Sequence, residues 1–192
     1  DMGLGKTLQT LAFMAWVQEQ MQNGSHPRKP LLVVAPTGLL RNWEEEANKH
    51  LKGGGLGPLY RAYGRELSPL KGKTALQRRA ELEQMGWVMT TYETLRDQYH
   101  LFLDIDWGII AFDEVQKIKN PGARGTDIAK SVGGDFGLAL TGTPVENSLT
   151  ELWCIVDAIH PGFLGAQKDF EKRYVKPAQE DPEQARVLKE LL

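Results

Sequence analysis

The chain has 192 residues, 41% hydrophobic and 25% charged, with a formal net charge of −2. These values suit one ordinary domain with a real core, and they exclude a disordered or fibrous chain and a basic coat that grips nucleic acid by bulk electrostatics, though not a few placed contacts to phosphates. The single cysteine, Cys154, cannot close an internal disulfide, which suits a reducing compartment, and no apolar run approaches the roughly 18 residues of a bilayer span.

In chain order, DMGLGKT is a glycine-rich loop opening a helix that runs to about Gln22, with Leu8, Leu11, Ala12, Ala15 and Trp16 at helical spacing. NGSHPRKP is turn-rich, and LLVVA (31–35) is short, continuously apolar and β-branched, the pattern of a buried strand. LLRNWEEEANKHL follows as an amphipathic helix with Leu39, Leu40, Trp43 and Ala47 on one face. KGGGLGP is a turn, PLYRAY a strand, TALQRRAELEQM a polar helix, WVMTT a third strand and YETLRDQYHLFL a helix. WGIIAFDE is a fourth strand, apolar until its last two residues. GARGTDIAKSV is helical, FGLALTGT is a fifth strand, and SLTELWCIVDAI is a helix with Leu149, Leu152, Trp153, Val156 and Ile159 inward. The tail from Ala166 reads as two helical segments around Pro177. Strands and helices alternating at this length predict an α/β fold, a parallel sheet with helices on both faces.

Three stretches carry chemistry. Gly3, Gly5, Lys6 and Thr7 match the end of G-x-x-x-x-G-K-[ST], whose first glycine would fall before Asp1. Glycines let backbone N–H groups turn toward phosphate oxygens, and the helix behind them adds its positive end. In such a loop Lys6 reaches the β- and γ-phosphates and the Thr7 hydroxyl ligates Mg²⁺. A glycine-rich helix cap with a solvated lysine fits the bare pattern equally well, so the loop needs a partner. GIIAFDEVQ supplies one: Asp113 and Glu114 close an apolar strand, where open α/β sheets place their ligands. Unpaired carboxylates at the end of a buried strand are costly. A pair of exposed acids just past the strand is the bland alternative. The functional reading has Asp113 holding Mg²⁺ and Glu114 orienting and deprotonating the attacking water. The third stretch, LTGTPVENS, sets Thr141, Gly142 and Thr143 at another strand's end as a candidate coupling element. The four histidines lack ligand spacing, which argues against zinc. Lys117 and Lys119 read as fixing the loop after the acids, and Trp153 and Cys154 as core.

DMGLGKT, LLVVAPTGLLRNWEEE, MTTYETL, DEVQKIKN and LTGTPVENSLTELWCIVDAIHPGFLG, in this order, resemble Swi/Snf-type ATPases of helicase superfamily two, over residues 1 to about 165. The phrasing around PVENSLTELW looks most like the bacterial branch. The resemblance implies a RecA-like first lobe over 1–165, truncated before the strand that leads into the phosphate loop. Residues 166–192 would be a helical extension toward a second lobe. It implies an ATP hydrolase that uses ATP and Mg²⁺ and translocates on double-stranded DNA. An RNA-directed helicase of the same superfamily and a non-catalytic nucleotide-binding interaction module are the alternatives. Carried over by position, Asp1, Gly3, Leu4, Gly5, Lys6 and Thr7 bind nucleotide, Thr7 and Asp113 hold the metal, and Lys6, Glu114 and Gln116 are catalytic. Thr141, Gly142 and Thr143 couple nucleotide state to DNA grip, and Pro36, Thr37, Arg41, Thr90 and Thr91 lie along DNA. Val115 stands where the family commonly has alanine, and Gln116 where relatives often carry histidine. The expected partners are double-stranded DNA, the second RecA-like lobe and a DNA-bound protein target, with no membrane. The expected location is a bacterial cytoplasm, or a nucleus if the source is eukaryotic.

The resemblance also implies that arginines of the second lobe complete the ATP site, and such a residue is worth about 10³–10⁵ in rate. The 192-residue chain alone is therefore expected to hydrolyse ATP negligibly with or without DNA. Phosphate release by the isolated chain is the measurement, and robust DNA-stimulated turnover would refute the expectation.

Overall fold

A computed structural model describes residues 5–52, 55–120, 122–142 and 149–177. Five strands form one wholly parallel sheet: β1 (Leu31–Val34), β2 (Leu59–Arg61), β3 (Trp87–Thr90), β4 (Trp107–Asp113) and β5 (Gly134–Leu140), in the order β2-β3-β1-β4-β5. Around it lie α1 (Lys6–Gln22), α2 (Thr37–His50), α3 (Ser68–Lys71), α4 (Ala75–Leu82), α5 (Tyr92–Asp97), α6 (Arg124–Ser131), α7 (Leu149–Ile159) and α8 (Gln167–Phe170). The fold class expected from the sequence is the one observed.

Alternating side chains of the central strands build two cores. Leu31, Val33, Ile109 and Ala111 pack with Leu11 and Met14 of α1 and Leu40 and Trp43 of α2. Leu32, Val34, Ile110 and Phe112 face the other way, onto Leu95 of α5, Ile128 and Ala129 of α6, and Ile155 of α7. Burial on both faces is why β1 and β4 are continuously apolar. β5 is exposed over its first half, and Phe136 is 50% accessible there.

The structure departs from the sequence reading in four places. Of the five α1 residues noted at helical spacing, Leu11 alone is buried; the buried face is Thr10, Leu11, Met14, Gln18 and Met21. Leu8 is exposed and Trp16 is 53% accessible. The buried polar groups are satisfied: the Thr10 hydroxyl donates to Lys6 O at 2.9 Å and Gln18 Nε2 to Gly86 O at 2.7 Å. The buried face therefore combines the apolar Leu11, Met14 and Met21 with two polar residues whose hydrogen bonds are made. The stretch 92–103 is not one helix, because Gln98 leaves helical geometry (φ −128°, ψ 30°) and a 3₁₀ turn, Tyr99–Leu101, follows. Residues 64–71 form a 3₁₀ turn and α3, which the sequence reading left unassigned. On α7, Trp153 is buried as expected together with Cys154, Ile155 and Ala158, while Leu149, Leu152, Val156 and Ile159 are half-buried. In the tail, α8 runs into a π-helical turn over Glu171–Val175, and the remainder from 178 lies outside the described residues.

Gly86, just before β3, sits where backbone segments crowd. A Cβ there would lie 1.7 Å from the Leu56 carbonyl oxygen, so alanine requires the backbone itself to shift. Gly72 has open space and φ −82°. G86A is expected to destabilise the protein by about 2–3 kcal/mol, and G72A to be neutral or to stabilise by up to about 1 kcal/mol. Urea unfolding of the two variants checks both values, and equal midpoints would contradict the packing read here.

Candidate nucleotide site

Strand register brings the chemistry-bearing residues together. Val34 pairs with Phe112 and Asp113 with Leu140, so β1, β4 and β5 end side by side. The segments leaving these three ends carry Pro36–Thr37, Glu114–Gln116 and Thr141–Gly142. α1 begins beside them: its Lys6 charge pulls on the Asp113 carboxyl, and a groove of about 390 Å³ is lined by Lys6, Gln9, Thr10, Phe13, Leu138 and Thr141, among others.

At the start of α1, Gly5 is left-handed (φ 72°, ψ 24°), a conformation glycine adopts without strain, and among the described residues no side chain caps the helix. The first turn of this 17-residue helix holds no acidic residue. First-turn N–H groups have no intrahelical acceptor and carry the positive end of the helix dipole, so such an end favours an anion. Gly5, Lys6 and Thr7 form this helix start. Asp1, Gly3 and Leu4 lie outside the described residues.

Asp113, only 7% accessible, ends a strand buried along its whole length. Oδ1 accepts the Glu114 N–H at 3.0 Å, Oδ2 accepts the Trp43 indole N–H at 2.8 Å, and the main-chain oxygen accepts the Tyr92 hydroxyl at 2.8 Å. Burial pushes the carboxyl pKa up, the Trp43 and Glu114 N–H groups pull it down, the Glu114 charge pushes it up, and the result lies above its ordinary value. Burial likewise holds the Tyr92 hydroxyl well above 10, so it stays a donor. Both Asp113 oxygens rest on neutral donors. A buried carboxylate held this way suits a cation that supplies the missing charge.

Glu114 is the one non-glycine residue with positive φ among the described residues (φ 50°, ψ 52°). The left-handed step ends β4, with Asp113 buried in the strand end and Glu114 half-exposed on the turn. The Thr141 hydroxyl donates to Gln116 Oε1 at 2.8 Å, and Gln116 Nε2 donates to Glu114 Oε2 at 2.5 Å. The amide of Gln116 thus bridges the two strand ends, with one group toward each. Gly142 follows in open space, and Thr143 lies outside the described residues.

The candidate DNA residues divide. Pro36 is the N-cap of α2, Thr37 is exposed, and Arg41 is exposed and paired with Glu45 one turn on at 2.7 Å. Thr90 is fully buried and its hydroxyl donates to Ala62 O at 2.9 Å, while Thr91 is nearly buried and caps α5 by accepting the Thr94 N–H at 3.0 Å. Both threonine hydroxyls are hydrogen-bonded within the fold, at the end of β3 and the start of α5. Lys119 pairs with Glu151 at 3.6 Å and fixes the loop after the acids, whereas Lys117 is exposed. Trp43 and Tyr92, which hold Asp113, were read from the sequence as core or not singled out. The one available signal was that a buried indole or phenol needs an acceptor and a buried carboxylate needs donors.

A side chain at a left-handed position costs about 1–2 kcal/mol relative to glycine. E114G is therefore expected to unfold about 1 kcal/mol harder than E114A in urea. Equal stability of the two would mean that Glu114 carries no backbone strain.

A model of the SNF2-related domain matches residues 1–192. The Zorya protein ZorD of Escherichia coli is 41% identical over 94% of this chain and 18% of its own length. The mouse DNA excision repair protein ERCC-6-like 2 is 34% identical over 100% of this chain and 13% of its own. The Sulfolobus solfataricus SWI2/SNF2 ATPase core in complex with dsDNA superposes with a TM-score of 0.74 at 30% identity, over 97% of this chain and 36% of that one. The chain thus spans under a fifth of these curated relatives and about a third of the solved core. The five-stranded sheet is the RecA-like fold of that core, and the chain belongs to the SNF2-related domain family of helicase-like ATPases.

Proposed function

We propose that this chain is the first ATP-binding lobe of a motor that hydrolyses ATP and moves along double-stranded DNA. One observation carries the reading: the lysine at a helix start, the buried Asp113 and the strained Glu114 all meet at the ends of neighbouring parallel strands. The duplex in the similar Sulfolobus core supports DNA as the track. The exposed start of α2, with Thr37 and Arg41, is the part of this chain offered to it.

In this reading the α1 N–H groups and Lys6 bind and orient the β- and γ-phosphates. Thr7 and Asp113 would hold Mg²⁺, which neutralises charge on the transferring phosphoryl group when bound. Glu114 Oε orients the attacking water and takes its proton. Gln116 steadies that carboxylate, and Thr141 reports through Gln116 the state of the β5 end. A second lobe closing on the same strand ends would exclude bulk water and add the remaining positive charge.

In the intact protein, E114Q is expected to lower DNA-stimulated phosphate release by about 10²–10⁴-fold while nucleotide binding persists, whereas K6A should weaken binding itself. Unchanged turnover in E114Q would favour a non-catalytic module. Stimulation by RNA but not by duplex DNA would favour an RNA-directed helicase.

A further inference from the structure

α2 leaves the end of β1 at Pro36 and crosses the sheet face that it shares with α1, and two turns along it Trp43 is fully buried. Buried indoles commonly settle on carbonyls, as two others do here. Trp107 Nε1 donates to Phe102 O and Trp153 Nε1 to Gly165 O, each at 3.1 Å. Trp43 Nε1 donates instead to the Asp113 carboxylate, at 2.8 Å. An N–H to a carboxylate is a stronger and more directional restraint than an N–H to a carbonyl. With Oδ1 on the Glu114 N–H and Oδ2 on the indole, the carboxylate keeps one orientation.

We propose that Trp43 is a positioning residue for Asp113, and that its indole hydrogen bond joins the α2 helix to the metal site so that the two respond to each other. This rests on the proposed role of Asp113 as a metal ligand. Partners that orient a ligating carboxylate are worth about 10–100-fold in metal affinity. The helix that supplies this one also carries Thr37 and Arg41 at its exposed start. A phosphate backbone seated there acts on the same rigid element that grips Asp113. Since binding couplings are reciprocal, metal-bound nucleotide must act back on the grip of α2 on DNA by the same factor. Tyr92 holds the Asp113 main chain independently, at the start of α5, so the position of the residue survives loss of the indole and only one of the two bonds that orient its carboxylate is lost.

The test uses W43F in the intact protein, which removes the N–H and keeps most of the apolar volume, beside W107F, which does the same to a fully buried indole whose bond goes to a carbonyl. Binding of a non-hydrolysable fluorescent ATP analogue is titrated with Mg²⁺, with and without duplex DNA, and urea unfolding is recorded for each variant. W43F is expected to raise the Mg²⁺ concentration for half-maximal binding by about 10-fold and to bring the mutual enhancement of DNA and nucleotide binding toward one. W107F is expected to lose stability with neither change. If W43F leaves the Mg²⁺ dependence and the enhancement at wild-type values, the proposal is wrong while the metal role of Asp113 stands. If W107F shifts both as much as W43F, Trp43 is merely core and the proposal is equally wrong. Nucleotide binding by the wild type that ignores Mg²⁺ would overturn the metal reading and this proposal together.

Discussion

The rest of the site is arranged around a carboxylate that the fold keeps out of water. Asp113 is the last residue of β4, and every residue of that strand is buried. Removing a carboxylate from solvent costs several kcal/mol unless donors and a countercharge replace the water. The donors come from three directions: the next peptide N–H, the indole of Trp43 and, on the main chain, the hydroxyl of Tyr92. All three are neutral, so the charge itself is left for something positive nearby. Lys6 is close enough to be felt. In the proposed reading Mg²⁺ supplies the rest, and the energy that burial costs the empty fold then favours metal and nucleotide binding.

That arrangement needs the parallel sheet. Only when β1, β4 and β5 run in the same direction, in register at Val34–Phe112 and Asp113–Leu140, do the segments leaving them start at one edge. The alternation of side chains along β1 and β4 then recruits α1 and α2 to one face and α5, α6 and α7 to the other. α2 is therefore placed by the same apolar packing that buries Trp43. The residue belongs to the core by its volume and to the site by its single polar atom.

Most of the fold was legible because the strands announce themselves. LLVV, WVMT and WGIIAFD are short apolar runs between turn residues, a pattern that two-sided burial produces. Lys6, Asp113 and Glu114 were legible because their spacing and types serve one chemistry. What was not legible depends on partners distant in sequence. The burial of Gln18 on α1 depends on the Gly86 carbonyl 68 residues away. The dual role of Trp43 turned on a carboxylate 70 residues on. Thr90 is a case of the same kind, since its hydroxyl finds the Ala62 carbonyl 28 residues back.

The left-handed step at Glu114 is the remaining cost in the design, and it has a geometric purpose. In an extended strand, successive side chains point to opposite faces, so a Glu114 that simply prolonged β4 would be directed away from the face Asp113 occupies, into the packing of the other core. The positive φ breaks that alternation at a single residue and delivers the carboxylate to Gln116, whose amide is held by Thr141 at the end of β5. A strained backbone persists only where its surroundings over-determine it. Here Val115 and Ile118, both buried just after the turn, anchor the far side of the step. The acid is thus poised on a turn with a rigid strand behind it and a hydrogen-bonded bridge to the neighbouring strand end in front. A displacement of the β5 end thus has two routes to the carboxylate, through the Gln116 amide and through the pairing of Leu140 with Asp113.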